Sequence, residues 1–191
     1  MLVAARLPNF EPAVGLEPAN DFPAVHRDTT SPLKNTHFVY TQQHRHGRPE
    51  GSPMIAHSEW KHGDVYEGIA ENGNTILFDA DTAHAHGPSP MEAVLMALCG
   101  CTSVDVVSIL KKKRQPLTGL RVSATAEQAP TPPRVFTRIK LTYAVSGKLS
   151  RKAVEDAVAL SKNTYCSVSK MLEKAASIEY EIVFVDGEPE P

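Results

Sequence analysis

Residues 89–114 read SPMEAVLMALCGCTSVDVVSILKKKR and decide the fold. They predict a helix of about 24 residues, roughly 36 Å long. Ser89 can act as the N-cap, Pro90 occupies the first helical position, and Glu92 completes a capping box. The basic residues 111–114 end the helix and complement the negative end of its dipole.

The first half of this helix is apolar or small on every face between residues 93 and 101, which is typical of a helix buried all round. A domain of this size cannot easily surround such a rod alone. Ala93, Ala97 and Gly100 form a stripe of small residues that would allow another helix to approach closely. The sequence therefore predicts a partner subunit.

Composition places the chain among ordinary intracellular proteins. It has 191 residues, 41% of them hydrophobic, a net charge of -2 and three cysteines. The charge gives no reason to expect nucleic acid or an anionic membrane as a partner, and an odd, small number of cysteines argues against a secreted disulfide scaffold. No signal peptide is expected at the N-terminus, and polar residues such as Asp105 argue against a membrane span in the long helix. A cytoplasmic location is expected.

The chain is expected to divide after residue 53. Residues 1–53 hold seven of the fifteen prolines and show no sustained periodicity, so we interpret them as a disordered or loosely docked extension. Met54 begins the first strand-like segment and is an alternative translation start to Met1. Residues 54–191 are predicted to form one α+β domain.

The remaining elements alternate between strands and helices. The Asn72-Gly73 pair predicts a hairpin turn within an antiparallel meander of three strands. One later strand should place Phe136 on the face opposite to Val135 and Tyr143. The predicted strands are residues 55–60, 64–70, 75–80, 120–128, 135–146 and 178–185, and the shorter helices are residues 151–162 and 167–176. Helices packed against antiparallel sheets give an α+β fold.

Two cysteines are candidate redox residues. Cys101 lies mid-helix, where the helix dipole cannot favour its thiolate, and an ionised Asp105 one turn on would disfavour it. Cys166 lies near the start of a helix, where backbone N–H groups could favour a thiolate. Taken alone, each residue is more typical of a buried core cysteine than of a nucleophile. Cys99 is predicted to be a core residue, because positions i and i+2 of a helix point apart.

Other motifs point to no further chemistry. The pairs His44-x-His46 and His84-x-His86 lack the cysteine or HExxH partners of a zinc site, so no metal and no cofactor is predicted. The basic residues 111–114 are expected to be solvated charge at a helix end, and nucleic-acid binding is not predicted.

The two cysteine segments together resemble the OsmC/Ohr family of bacterial stress proteins, and most closely its YhfA-like branch. The resemblance rests on residues 89–110, which contain Cys101, on Tyr165-Cys166-Ser167-Val168 and on the strand Phe136-Thr137-Arg138-Ile139. It covers about residues 54–185. It implies an intertwined homodimer in which two long central helices pack against antiparallel sheets.

The resemblance also implies a peroxidase that reduces small organic hydroperoxides. Cys101 would attack the peroxide and become a sulfenic acid, and Cys166 would condense with it to a disulfide. An external dithiol, in this family often a lipoylated protein, would then reduce the disulfide. The alternative is a non-enzymatic dimer that binds a hydrophobic ligand and uses its cysteines as redox sensors.

The chain departs from the family pattern at two activating residues. Met91 stands where the peroxidases have a glutamate, and residues 50–112 contain no arginine. Lys61, Arg48 and Arg138 are the cations that could substitute, although a lysine does not offer the bidentate fork of an arginine.

Overall fold

A computed structural model describes residues 51–185 of the chain. Residues 1–50 of the proposed extension, which contain the histidine pair at residues 44 and 46, lie outside the described residues. The elements are a strand meander, a long helix, a strand hairpin, two short helices and a last strand. Together they form the α+β fold predicted from the sequence.

The first sheet is the predicted meander. Its strands are β1 (Ala56–His62), β2 (Val65–Ala70) and β3 (Thr75–Asp79), paired antiparallel in chain order. The turn after β2 needs a left-handed backbone conformation, which Gly73 supplies with a φ of +84°.

The long helix is α1 (Pro90–Lys112), and its predicted start is confirmed. The Ser89 side chain accepts the Glu92 backbone N–H at 3.2 Å, and the Glu92 carboxylate accepts the Ser89 backbone N–H at 2.7 Å. Both halves of the capping box are therefore formed, which satisfies two backbone donors at the helix start.

One face of α1 is buried within the single chain. The buried residues recur every fourth position: Leu98, Thr102, Val106 and Leu110. On the opposite side the exposed fraction is 54% for Met96 and 70% for Val104. Within a single chain α1 is therefore buried on one side only, as expected for a domain too small to surround it, and the partner subunit for the other side stays a prediction. Within residues 51–185, α1 alone also has the length and hydropathy of a membrane span, a test that core helices of globular proteins pass as well.

The second sheet contains β4 (Leu117–Gln128), β5 (Phe136–Gly147) and β6 (Ser177–Phe184). β4 and β5 form an antiparallel hairpin, whereas β6 pairs parallel to β5. This sheet is therefore mixed and not antiparallel throughout. The cause is the helical connection between β5 and β6, which returns the chain to the starting end of β5.

The predicted alternation along β5 holds only in part. Ile139, Tyr143 and their alternate neighbours face the core, but Phe136 is buried and Val135 is exposed, opposite to the prediction. The pairing shifts between Gln128↔Phe136 and Glu127↔Arg138, so Thr137 is an extra residue. A bulge of this kind exchanges the two faces of a strand.

The connection to β6 begins with α2 (Arg151–Leu160) and continues into a π-helical turn, Ser161–Tyr165, that we call the π segment. It ends with α3 (Ser167–Leu172). α1 packs against β4, α2, α3 and the π segment. The core between these elements contains Leu98, Tyr143, Val158 and Cys166. Cys166 is thereby held next to the middle of α1.

Candidate functional site

The two candidate cysteines lie on different elements that meet in the core. Cys101 is on α1 and partly buried, and Asp105 follows one turn later on the same side of the helix. Cys166 stands between the π segment and α3 and is fully buried. All three cysteines of the chain are free thiols.

The fold brings three reactive side chains together. The sulfurs of Cys101 and Cys166 and a carboxylate oxygen of Asp105 all lie within 4.8 Å of one another. A disulfide requires a sulfur–sulfur distance of about 2.05 Å. The two sulfurs therefore have to approach by less than 3 Å, a distance on the scale of side-chain rotation. Cys99, two residues from Cys101, is not part of this cluster.

The surroundings of Cys166 favour its neutral thiol. Burial raises the pKa of Cys166, and the neighbouring Cys101 raises it further. The Ser169 backbone N–H donates to the Cys166 sulfur at 3.4 Å and opposes this shift without cancelling it. Burial likewise raises the pKa of Cys99.

A chain of hydroxyl groups ends at Asp105. Ser161 donates to the Asp105 carboxylate at 2.9 Å, so its one proton is not available to Thr102. Thr102 must therefore donate to Ser161, at 2.8 Å, and accept from the Tyr143 hydroxyl, at 2.7 Å. Burial raises the pKa of Tyr143 to about 12, which keeps it protonated as the first donor. We call Tyr143, Thr102 and Ser161 the hydroxyl relay.

Ser169 supplies a further polar group beside Cys166. Its hydroxyl is buried and, within residues 51–185, makes no hydrogen bond of regular geometry. It nevertheless lies near enough to the Cys166 sulfur to lower the pKa of that thiol. Because this buried hydroxyl forms no regular hydrogen bond, it is available to donate to a charged or bound form of the site.

An OsmC-like protein family model matches residues 83–181, which include both candidate cysteines, Asp105 and the hydroxyl relay. The chain belongs to the OsmC family. Protein YhfA of Escherichia coli K12 is 45% identical over 133 residues, which are 68% of this chain and 98% of YhfA.

Solved structures of other OsmC-family members share the fold. An OsmC-like protein from Mycoplasma pneumoniae superposes with a TM-score of 0.63 at 16% identity, over 71% of this chain and 99% of that one. An organic hydroperoxide resistance protein, OsmC, from Legionella pneumophila gives a TM-score of 0.54 at 14% identity, over 69% and 97% of the two chains. These superpositions establish the α+β architecture.

In this OsmC-family chain the expected substitute cations are engaged elsewhere. Lys61 binds Glu67 at 2.9 Å, and Arg138 binds Glu179 at 2.8 Å. Arg48 lies outside the described residues. Lys112 and Lys113 line the same open depression as Asp105, and Lys113 binds Asp156 at 2.7 Å. The thiol pair thus lies beside a carboxylate, and neither Lys61 nor Arg138 is paired with it.

The loop between β3 and α1 has a structural anchor that the sequence did not reveal. Asp79 is buried, and its carboxylate accepts the His86 backbone N–H and contacts His86 Nδ1, both at 3.0 Å. These bonds hold the pKa of Asp79 below its ordinary value. His84 Nδ1 donates to the Asp79 carbonyl at 2.9 Å. The two histidines therefore fix the loop and are not simply solvated.

Cys101, Asp105 and Cys166 were predicted from the sequence, whereas the hydroxyl relay and Ser169 were not. One signal was available. Thr102 follows Cys101 on the predicted buried helix, and a buried hydroxyl needs a partner. Nothing in the local sequence shows that the partners are Tyr143 and Ser161, 41 and 59 residues away.

Proposed function

We propose that the chain is a two-cysteine thiol peroxidase that reduces small organic hydroperoxides. The observation that carries the proposal is the approach of two free thiols from separate elements to within 4.8 Å. Membership of the OsmC family supports it, as does the hydroperoxide resistance described for a protein of the same fold.

The different burial of the two thiols supports a different role for each. Cys101 is partly exposed and Cys166 is fully buried, so a peroxide reaches Cys101 first. The Cys101 thiolate attacks the terminal oxygen of the hydroperoxide, and the O–O bond breaks. The alkoxide takes a proton and leaves as an alcohol. Cys166 then attacks the sulfenic acid sulfur; a disulfide forms, one proton is transferred, and water leaves. An external dithiol restores both thiols.

The surface beside Asp105 supports an organic hydroperoxide as the substrate. An open depression of about 410 Å³ is lined by Asp105, Ser108, Lys112 and Lys113 and by the apolar side chains of Ile109, Leu160 and Tyr165. These apolar side chains suit the carbon part of an organic hydroperoxide better than hydrogen peroxide, which has none. The exposed face of α1, with Met96 and Val104, supports a homodimer in which a second copy covers it.

The experiment is to oxidise the reduced full chain with cumene hydroperoxide and map disulfides by peptide mass spectrometry. We expect a Cys101–Cys166 disulfide and repeated turnover when dihydrolipoamide is supplied. In Cys166→Ser, we expect one equivalent of peroxide per chain to be consumed, after which the protein stops as a sulfenic acid that dimedone traps.

Cys99→Ser is the matched control, because it removes a thiol two residues from Cys101 that is not in the cluster. It should keep wild-type turnover. A disulfide that involves Cys99, or continued turnover by Cys166→Ser with dihydrolipoamide, would contradict the two-cysteine cycle.

The rate of disulfide formation should increase with pH. Burial holds the pKa of Cys166 above the ordinary thiol value, so only a small fraction is thiolate at neutral pH. Below that pKa the thiolate fraction grows about tenfold per pH unit, and the resolving step should accelerate accordingly from about pH 7 to 9. Stopped-flow loss of the dimedone-reactive sulfenic acid measures this step. A rate independent of pH over this range would show that Cys166 does not react as a thiolate.

A further inference from the structure

We propose that reduced Cys101, Asp105 and Cys166 also form a binding site for a thiophilic divalent cation of the zinc class. This inference does not depend on peroxidase activity. The three donor atoms lie within 4.8 Å of one another, and they come from two separate elements of the fold. Zinc binds sulfur at about 2.3 Å and carboxylate oxygen at about 2.0–2.2 Å, which places tetrahedral ligands roughly 3.5–3.8 Å apart. The cluster needs to contract by at most about 1 Å to reach this geometry.

The electrostatics of the cluster suit a cation better than they suit free thiolates. Within residues 51–185 Asp105 is held by Ser161 and makes no salt bridge, while Lys112 and Lys113 line the depression beside it. Holding a carboxylate and two thiolates this close together is unfavourable when nothing offsets their negative charge. A divalent cation reverses this effect, because a coordinated thiol loses its proton and the negative charges become favourable.

The side chains behind the ligands are arranged as in a metal site. Ser161 donates to Asp105 at 2.9 Å and is itself fixed by Thr102 and Tyr143. Hydrogen bonds of this kind orient a ligating carboxylate. A carboxylate has acceptor sites to spare after one such bond, so Asp105 can still bind a cation.

Ser169 provides an independent observation at the other ligand. Its backbone N–H already donates to the Cys166 sulfur, while its buried hydroxyl has no regular partner among the described residues. A thiol needs no second donor, but a metal-bound thiolate carries charge that both groups can stabilise. A buried hydroxyl that lies beside the Cys166 sulfur and has no regular hydrogen bond therefore fits a ligated form of Cys166.

Three protein ligands leave the fourth tetrahedral position open for water, as in catalytic zinc sites. The open depression beside Asp105 gives solvent access to this side of the cluster. Binding converts two thiols and one cation into a dithiolate complex and releases two protons to solvent. The same sulfurs cannot be a disulfide and thiolate ligands at once, so oxidation and metal binding exclude each other.

The test is an anaerobic titration of the reduced full chain with Co²⁺, which reports thiolate ligation through sulfur-to-cobalt charge-transfer absorption. We expect saturation at one Co²⁺ per chain and displacement by Zn²⁺. Cys166→Ser should lose most of this absorption, and Asp105→Asn should weaken binding by at least about tenfold. Ser161→Ala should weaken it by about 10–100-fold, because it removes the group that orients Asp105.

Two controls separate this site from histidine or stray thiol binding. Cys99→Ser and the double variant His84→Ala/His86→Ala should keep the full absorption, and the oxidised protein should show none. Circular dichroism checks that each variant is folded. Absence of the charge-transfer band, or its full retention in folded Cys166→Ser, overturns the proposal. Because no peroxide is used, this result is independent of whether the chain is a peroxidase.

Discussion

Cys101→Ser is expected to lower the rate of cumene hydroperoxide consumption by at least about a thousandfold, as removal of a catalytic nucleophile does. The serine hydroxyl is a far weaker nucleophile than a thiolate, and it cannot be oxidised to a sulfenic acid. The replacement is nearly isosteric at a partly buried position, so the fold should be kept. Peroxide consumption in the presence of dihydrolipoamide is the measurement.

Cys99→Ser is again the matched control, since both cysteines are partly buried on α1. The control should retain wild-type activity and yield the same disulfide. If Cys101→Ser retained more than about a tenth of the activity, or if Cys99→Ser lost it, Cys101 would not be the attacking thiol.

Elements with strong local signals were predicted well from the sequence. The start of α1 is fixed by Ser89 and Glu92, which contact each other within one turn. The meander was similarly predictable, because its hairpins depend on short turns such as the one at Gly73. The parallel pairing of β6 was not predicted, since it depends on where the chain returns after α2 and α3.

Only those site residues whose side chains are chemically distinctive could be predicted from the sequence. Cys101 and Cys166 were found because thiols are rare and because their segments match a family. The hydroxyl relay was not found, because a threonine, a serine and a tyrosine are ordinary residues until the fold aligns them. The exposure of Phe136 and Val135 was predicted in the wrong sense for a related reason, since an added residue in one strand is visible only against its partner.

Thr102→Val should destabilise the folded chain by about 2–4 kcal/mol in urea unfolding. The substitution keeps the shape of the side chain and removes its hydroxyl. The buried Tyr143 hydroxyl then loses its acceptor, and Ser161 loses the donor to its oxygen. Each buried group left without a partner costs about 1–3 kcal/mol, and the fully buried site gives water no simple access.

Tyr143→Phe distinguishes a directed relay from general loss of packing. It removes the first donor but leaves Thr102 free to donate to Ser161, and Ser161 free to donate to Asp105. No buried donor is orphaned, so a smaller cost of about 1 kcal/mol is expected. Thr102→Ser, which keeps the hydroxyl, should recover much of the stability lost in Thr102→Val. If Tyr143→Phe proved more destabilising than Thr102→Val, the hydrogen bonds would not run from Tyr143 toward Asp105, and the carboxylate beside the two thiols would lack the support inferred for it.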